Sequence, residues 1–536
     1  MSGRIESAGA AGRIREQIIY GKLAAINLHA SERIQRIARS PLIAESRRLA
    51  VAILTPDVQL AHQIQFEVEH MYALCESVRS ALDFFAYDIA EGDVIVTADA
   101  YGGGTRGQTL TMIMPLFVEG ELVLFPAIRA QMSDLGGEIP GGFHPLAHEQ
   151  WQESMRLTPV KLYVGGKLQR DVFRFLMTNS RTAEWLGADL GALYACCQEM
   201  QRALLELLGQ YGAVAVSQAA AAMIAHTEAQ ARRFLIQHGS AASGQSAAEL
   251  PAECGSGRVL VTAFWSGDQL VLDFSGTAGQ LAAPYNSTEA MTKSVAAAAA
   301  LAGCLDELPI NDGLLAALEF KLPEGSLVAP RFPAATALSG HVTAHAIAAA
   351  VTAALRQATG ASGDSYPTIH GGSTWAMLYH PVGSAKVTPF LFEPGFAEVT
   401  EGWGPSALFG SGRLLSAEEL ESGYGFRLEK RERQSDGSMQ VELHILNGKW
   451  EYQAFSYGEE SIHIDRWHSQ GTGGNTGGVL ENDAGVAAVG DAGESDETGR
   501  IEQAISFGGP VLTSGDVIRM SYAGGTAVRE EKEYGN

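Results

Sequence analysis

A chain of 536 residues exceeds what one ordinary hydrophobic core organises and implies two or three. Its composition, 46% hydrophobic and 18% charged, is that of a folded globular protein and excludes a disordered or fibrous one. A formal net charge of -23 argues against nucleic acid and anionic membrane as partners, because both require a basic surface.

Along the chain, Ile14, Ile18, Ile19, Leu23, Ile26, Leu28, Ile34 and Ile37 recur at helical spacing, so residues 13–39 predict an amphipathic helix or helix pair. From about residue 47 to 130 the runs VAILT, DVIVTA, LTMIMPLFV and LVLFPAIRA read as strands, and VEGEL between the last two reads as a hairpin turn. Residues 145–240 are helical in character, with a break at Gly209–Gly212, and residues 240–256 read as a linker or exposed loop. VLVTAFWSGDQLVLDFSG then predicts a strand, a tight turn at Ser266–Asp268 and a second strand. Residues 288–304 and 343–359 are Ala-rich helices whose small side chains allow close packing.

These patterns predict an α+β fold in several layers. The expected parts are an N-terminal β-rich region with a helical start (1–145), a helical region (146–250) and a second α+β region (251–468). A flexible Gly-rich acidic loop (469–500) and a strand-like tail (501–536) follow.

Cys75, Cys196, Cys197, Cys254 and Cys304 are odd in number and contain no CxxC, so buried free thiols in a reducing, cytoplasmic compartment are expected. The opening residues show no secretory signal pattern, and no apolar run predicts a membrane-spanning helix.

The motif search narrows chemistry mainly by exclusion. Gly102, Gly104 and Gly107 match the dinucleotide-binding string, but that fingerprint must open a helix and here it runs into a strand, so a Gly-rich turn is the reading. There is no phosphate-binding GxxxxGK[ST] loop and no GxSxG nucleophile elbow. His341 with His345, and His144 with His148, lie four apart without ligands at telling spacing, so both pairs read as structural. Asp93, Asp99 and Asp134 sit by Gly-rich turns, where carboxylates usually cap the backbone, yet they share one strand-rich region and could converge.

Longer strings are more specific. GDVIVTADAYGGGTRGQTLTMIMPLFVEGELV, RAQMSDLGG, EQWQESMRLTPVKL, NSRTAEWLGADLGA, LVLDFSGTAGQLAAPYNS, PINDGLLAALEFKLPEGSLVAPRFPAA and SGDVIRMSYAGGT follow one another in this order. Together they resemble the B-type subunits of ATP-dependent hydantoinases, the matching half of 5-oxoprolinase, and a large subunit of acetone and acetophenone carboxylases. The resemblance covers roughly residues 15–460 and 505–526.

The resemblance implies an A-type partner that uses ATP to phosphorylate a carbonyl or enol, and a B-type subunit that acts on the activated species. It also implies a divalent metal near the segments that here read GGTRGQT and AQM. At those points the sequence departs from the family. Arg106 and Thr109 replace the His and Asp of GGTHxxD, and Gln131-Met132 replace a His pair. Ala98 and Ala100 replace the Asn and Pro of NDPY. Arginine is permanently cationic, and Thr and Met are poor ligands for Zn or Mn, so a metal of the chain's own is not expected.

The candidate site residues are therefore Asp99, Arg106, Asp134 and His70, with Arg129 nearby. Arg106 is read either as an anion binder oriented by Asp99 and Asp134 or as their salt-bridge partner. Three roles stay open: a metal-free subunit acting on a phosphorylated intermediate, a non-catalytic scaffold holding an A-type subunit or a B-type paralogue, and a cyclic amide hydrolase.

Overall fold

The computed structural model describes residues 2–86, 88–238, 242–305, 308–360, 372–380, 388–392, 416–434, 439–446, 449–458, 461–468, 479–482 and 512–522. Most of the expected Gly-rich loop at 469–500, and the tail outside 512–522, lie outside these residues.

The chain opens with one helix, α1 (Ser2–Ile37), which contains the predicted 13–39 segment. Only part of the predicted apolar stripe is buried. Ile19, Leu23 and Ile34 are in the core, while Ile14, Ile18, Leu28 and Ile37 face outward, because one helix face cannot hold all of them.

Behind α1 stands the main sheet. Its strands are β1 (Leu49–Leu54), β2 (Leu60–Gln65), β3 (Val94–Ala98), β4 (Thr109–Ile113), β5 (Leu116–Val118), β6 (Glu121–Gln131), β7 (Leu157–Val164) and β8 (Lys167–Leu168). The order is β2-β1-β6-β4-β3-β7-β8, with β5 on β6, and every pair is antiparallel. The β5–β6 hairpin turns at Glu119-Gly120, inside the VEGEL segment where the sequence placed it.

Both faces of this sheet are covered, and β1 shows how. Leu49, Val51 and Ile53 point into a core with α1 and with α4 (Ala183–Tyr211). Ala50, Ala52 and Leu54 point into a second core against α2 (His70–Phe84), through Leu74, Val78 and Leu82. This period-two division explains why the strand is an unbroken apolar run rather than an alternating one.

The expectation of continuous helix from 145 to 240 fails at one place. Residues 157–164 form β7, which pairs with β3 at the sheet edge, and the helices begin with α3 (Arg170–Thr178), followed by α4 and α5 (Ala213–His238). The buried residues Leu157, Pro159 and Leu162 do not keep a strict period of two, because the β3–β7 register shifts along the pair, and this hid the strand in LTPVKLYV; the Pro is tolerated because β7 lies near an edge.

The predicted linker at 240–256 is corrected as well. Gly244–Glu249 form β9, paired with β10 (Arg258–Ser266), which pairs with β11 (Gln269–Asp273), which in turn pairs in parallel with β12 (Leu318–Lys321). Its small residues misled the reading. A Cβ at Gly244 would lie 1.9 Å from the Ala354 carbonyl oxygen, so this glycine lets β9 lie directly on the helix beneath.

That helix is α7 (Thr343–Thr359), which packs beside α6 (Glu289–Leu301) under this second sheet. Ala296 to Ala300 are completely buried there, as close helix packing by small side chains demands. Toward the C-terminal end, Phe426–Arg433, Met439–Ile445, Val517–Tyr522, Ser461–His468 and Val479–Asn482 form a further five-stranded sheet. Among the described residues no single helix is long and apolar enough to cross a membrane.

Candidate functional site

A buried polar cluster lies where the main sheet meets α6 and α7. Glu67, Glu69 and His70 lead into and begin α2, Arg48 immediately precedes β1, Arg129 projects from β6, and Arg106 stands in the turn between β3 and β4. The turn is glycine-rich for a local reason. A Cβ at Gly103 would lie 2.4 Å from the Glu76 backbone carbon, at a positive φ of 83°. Gly102 to Gly107 thus form a turn that runs into β4, as the sequence indicated, and the Thr288 hydroxyl at the start of α6 holds the Gly104 carbonyl at 2.8 Å.

Arg129 is the largest fully buried side chain of the described residues. Its Nη1 donates to Thr111 Oγ1 (2.8 Å) and Ser77 Oγ (3.1 Å), its Nη2 to Thr105 Oγ1 (3.2 Å) and its Nε to His70 Nδ1 (3.2 Å). Arginine can only donate, so Nδ1 of His70 accepts and the ring proton sits on Nε2. Nε2 in turn donates to Glu67 Oε2 at 3.1 Å. Desolvation draws Arg129 down to about 10, which leaves it cationic at neutral pH.

The carboxylates are each paired with a guanidinium. Arg48 Nη1 lies 2.8 Å from Glu67 Oε1, and Arg106 Nη2 bonds Glu69 Oε1. Burial alone would raise the Glu67 carboxyl, but Arg48, then His70 and Arg106, outweigh it and hold the group below the usual carboxylate range. Arg106 also lies over the Phe143 ring, 5.7 Å from its centroid, and is 3% exposed. Its Nη1 is buried and has no hydrogen-bond partner among the described residues.

Arg48, Glu67, Glu69 and Arg106 line a small cavity with Val68, Met291, Val295, Gly340, His341 and His345, leaving about 20 Å³ for the centre of a water-sized molecule. Burial, then Arg106 and Arg48, depresses His341 well below the ordinary histidine range, so it is neutral at pH 7. At the cavity two guanidinium groups, Arg48 and Arg106, face two carboxylates, Glu67 and Glu69, while Arg129 bonds His70 and does not line it; the donor left over for a guest is Nη1 of Arg106.

The structure brings His70, Arg106 and Arg129 together but sends Asp99 and Asp134 elsewhere. Asp99 Oδ2 accepts from Arg156 Nε at 3.0 Å, and its Oδ1 takes the Tyr101 N–H at 3.0 Å. Asp134 bonds Arg181 through both side chain and backbone. Neither carboxylate pairs with Arg106, so both the orienting role and the salt-bridge alternative are corrected: the partner is Glu69. His144 and His148 also lie apart, bonded to Glu138 Oε2 (2.8 Å) and the Ala282 carbonyl (2.6 Å). His341 and His345, read as structural, line the cavity. Glu67, Glu69 and Gly340 were missed, and Arg48 was not among the candidates. The only trace in the sequence was the acidic pair flanking Val68 immediately before His70.

Does this set fit the divalent metal that the resemblance implied? Glu67, Glu69 and His70 offer donor atoms within 4.8 Å of one another. Yet each carboxylate already has a guanidinium on it, and His70 presents a proton, not a lone pair, at Nε2. As arranged, the residues do not fit a metal.

Another buried carboxyl, Glu153, anchors the cavity's ceiling. Glu153 accepts the N–H groups of Thr336 (2.9 Å) and Ala337 (2.7 Å), fixing the segment that leads to Gly340. Burial pushes Glu153 up to about 8, and those backbone donors offset only part of the shift. Unfolded, the carboxyl loses its proton near 4.5; folded, it keeps the proton to about 8. Its contribution to stability therefore declines as pH rises through that interval and levels off above it. Glu153→Gln removes the decline. The variant is expected to match the parent near pH 4.5 and exceed it above pH 8 by about 2–4 kcal/mol, read from denaturant midpoints across pH.

The fold and buried site define a mixed α+β protein with a small cavity between two layers, lined by two Arg–Glu ion pairs. A sequence profile described as hydantoinase B/oxoprolinase matches residues 13–527, and the chain belongs to that family. The chain is 37% identical over 143 residues to the caprolactamase subunit beta of Pseudomonas jessenii, covering 27% of this chain and 25% of that one. It is 26% identical over 300 residues to the acetophenone carboxylase delta subunit of Aromatoleum aromaticum, covering 54% and 43%. To 5-oxoprolinase 1 of Arabidopsis thaliana it is 24% identical over 413 residues, covering 67% and 32%. The matched stretches thus span less than two thirds of these relatives' lengths.

Two solved structures share the fold. An ATP-dependent caprolactamase from Pseudomonas jessenii superposes with a TM-score of 0.76 at 22% identity, over 96% of this chain and 90% of that one. A nucleotide-free acetone carboxylase superposes with a TM-score of 0.77 at 14% identity, over 96% and 75%.

Proposed function

We propose that this chain is the B-type subunit of a hetero-oligomeric, ATP-dependent complex. An A-type subunit spends ATP to make a phosphorylated carbonyl or enol, and this chain binds the resulting anionic species without a metal of its own. The observation that carries the reading is the buried Arg106 guanidinium. One amino group is spent on Glu69 and the other, Nη1, is uncommitted at the cavity. A permanently charged donor in a water-poor site is a strong stabiliser of developing negative charge. Neutral His341, with His345 beside it on the cavity wall, is placed to handle a proton. The cavity admits one small oxyanionic end at a time, so the remainder of a larger substrate would enter only with local opening.

The test is a pull-down of the tagged chain from its native cytosol, followed by ATP-dependent turnover of the purified complex. Cyclic amides are assayed for ring opening and ketones for bicarbonate-dependent carboxylation. An ATPase subunit is expected to co-purify. Arg106→Lys is expected to lower kcat/KM by roughly a hundredfold or more, since a single ammonium cannot hold Glu69 and serve the cavity together. Unchanged turnover in that variant would leave the chain as a scaffold and remove the catalytic reading.

A further inference from the structure

Two carboxylates and an imidazole with donor atoms within 4.8 Å of one another form a set that ordinarily gathers a divalent cation. Glu67, Glu69 and His70 make such a set, and all three are buried. His70 Nε2 lies 3.1 Å from Glu67 Oε2 and 4.0 Å from Glu69 Oε1. Two carboxylates this close, out of water, repel each other and need a cation to stay ionised.

We infer that the Arg106 guanidinium is the resident cation of the Glu67–Glu69–His70 set, standing where a divalent ion would otherwise bind. Three features converge on this. Arg106 Nη2 is bonded to Glu69, and Arg48 Nη1 sits on Glu67 at 2.8 Å, so both carboxylates are already neutralised. The Arg129 Nε–H on His70 Nδ1 commits His70 Nε2 to donate a proton, which removes it as a ligand. The ceiling is packed down on the pair, for a Cβ at Gly340 would lie 2.8 Å from Glu69 Oε2 and 3.4 Å from Arg106 Nη2. The space left beneath it holds about one water-sized molecule, not an ion with several waters of its own.

The chemical consequence is specific. A guanidinium supplies charge and directed donors, as a metal does, but it cannot turn a bound water into hydroxide. It also needs no supply and resists chelation. A chain built this way keeps its folded site and its affinity for anions at any divalent metal concentration, whichever reaction the complex performs.

The experiment uses the full-length chain, stripped with chelator and dialysed against Mn²⁺ or Zn²⁺, with bound metal counted by mass spectrometry and melting followed in parallel. The wild-type chain is expected to hold no stoichiometric metal at this set and to melt at the same temperature with and without chelator. Arg106→His exchanges the plug for an imidazole and frees Glu69; Arg129 still keeps His70 a donor and Arg48 still covers Glu67, so the new imidazole and Glu69 are the groups offered to the ion. It is expected to take up one equivalent at least tenfold more tightly than wild type, and a further Glu69→Gln change should abolish the gain.

A wild-type chain that carries one equivalent, lost on Glu67→Gln, overturns the inference. So does an Arg106→His variant that folds and binds nothing. If that variant folds only when Mn²⁺ is present, the inference is supported. If it folds in neither condition, Arg106→Ala is read by the same criteria, and the wild-type arm stands by itself. Metal content and turnover are separate readouts, so the ATP-dependent role fails or survives independently of this result.

Discussion

Arg129→Leu is expected to cost about 3–5 kcal/mol of stability and to lower the melting midpoint by roughly 10 °C, the largest effect of any single substitution in the described core. The side chain is 1% exposed and sits among four acceptors: His70, Ser77, Thr111 and Thr105. Leucine fills part of the volume but strands every one of them. The loss does not stop at β6. Without the Arg129 Nε–H, His70 is free to move its ring proton to Nδ1, and the hydrogen bond to Glu67 then loses its donor. Arg129→Lys separates charge from geometry. It keeps a cation but reaches fewer acceptors, so an intermediate loss of about 2 kcal/mol is expected. Equal stability of Lys and Leu variants would show that the fork of donors is irrelevant.

Such a residue marks where the sequence was readable and where it was not. Strand β6 was legible because LVLFPAIRA is an apolar, β-branched run, and its pairing with β5 followed from the Glu119-Gly120 turn. That Arg129 would be swallowed whole was not legible, since an arginine inside a strand usually faces solvent. Its acceptors come from other stretches of the chain: Thr111 on β4, Thr105 in the turn before it, and Ser77 and His70 on α2.

The candidate site divides in the same way. His70 and Arg106 stood out as residues, but their partners Glu67 and Glu69 did not, because nothing local distinguishes a buried acidic pair from a solvated one. Asp99 and Asp134 looked convergent by proximity in sequence. They were instead claimed by Arg156 and Arg181, which follow each of them by more than forty residues. The linker that proved to be β9 failed for a related reason. Gly244 and the alanines after it carry a weak strand pattern, and only contact with α7 gives those small residues a purpose.

The glycine that closes the cavity yields the second large effect, this time on function. Gly340 precedes His341 and α7, and it faces Glu69, Met291 and Arg106. Gly340→Ala places a methyl group 2.8 Å from Glu69 Oε2 and 3.2 Å from the Met291 methyl, closer than either position tolerates. The methionine can turn away, but Glu69 is held by Arg106, so relief requires that ion pair to shift. A moderate stability loss of about 1–3 kcal/mol is expected from the overpacking. The larger change should appear in turnover. On the proposed role of Arg106, displacing the guanidinium by an ångström takes its Nη1 off the anionic end it would bind, and such misplacement costs on the order of a hundredfold in kcat. Substrate affinity carried by contacts outside the cavity should change far less, so kcat falls while KM holds. If kcat and stability decline together in proportion across Gly340→Ala and Gly340→Ser, the glycine serves the fold alone. A drop in kcat in a variant that remains folded at the assay temperature would instead place Arg106 at the reacting atoms, with Gly340 setting its position.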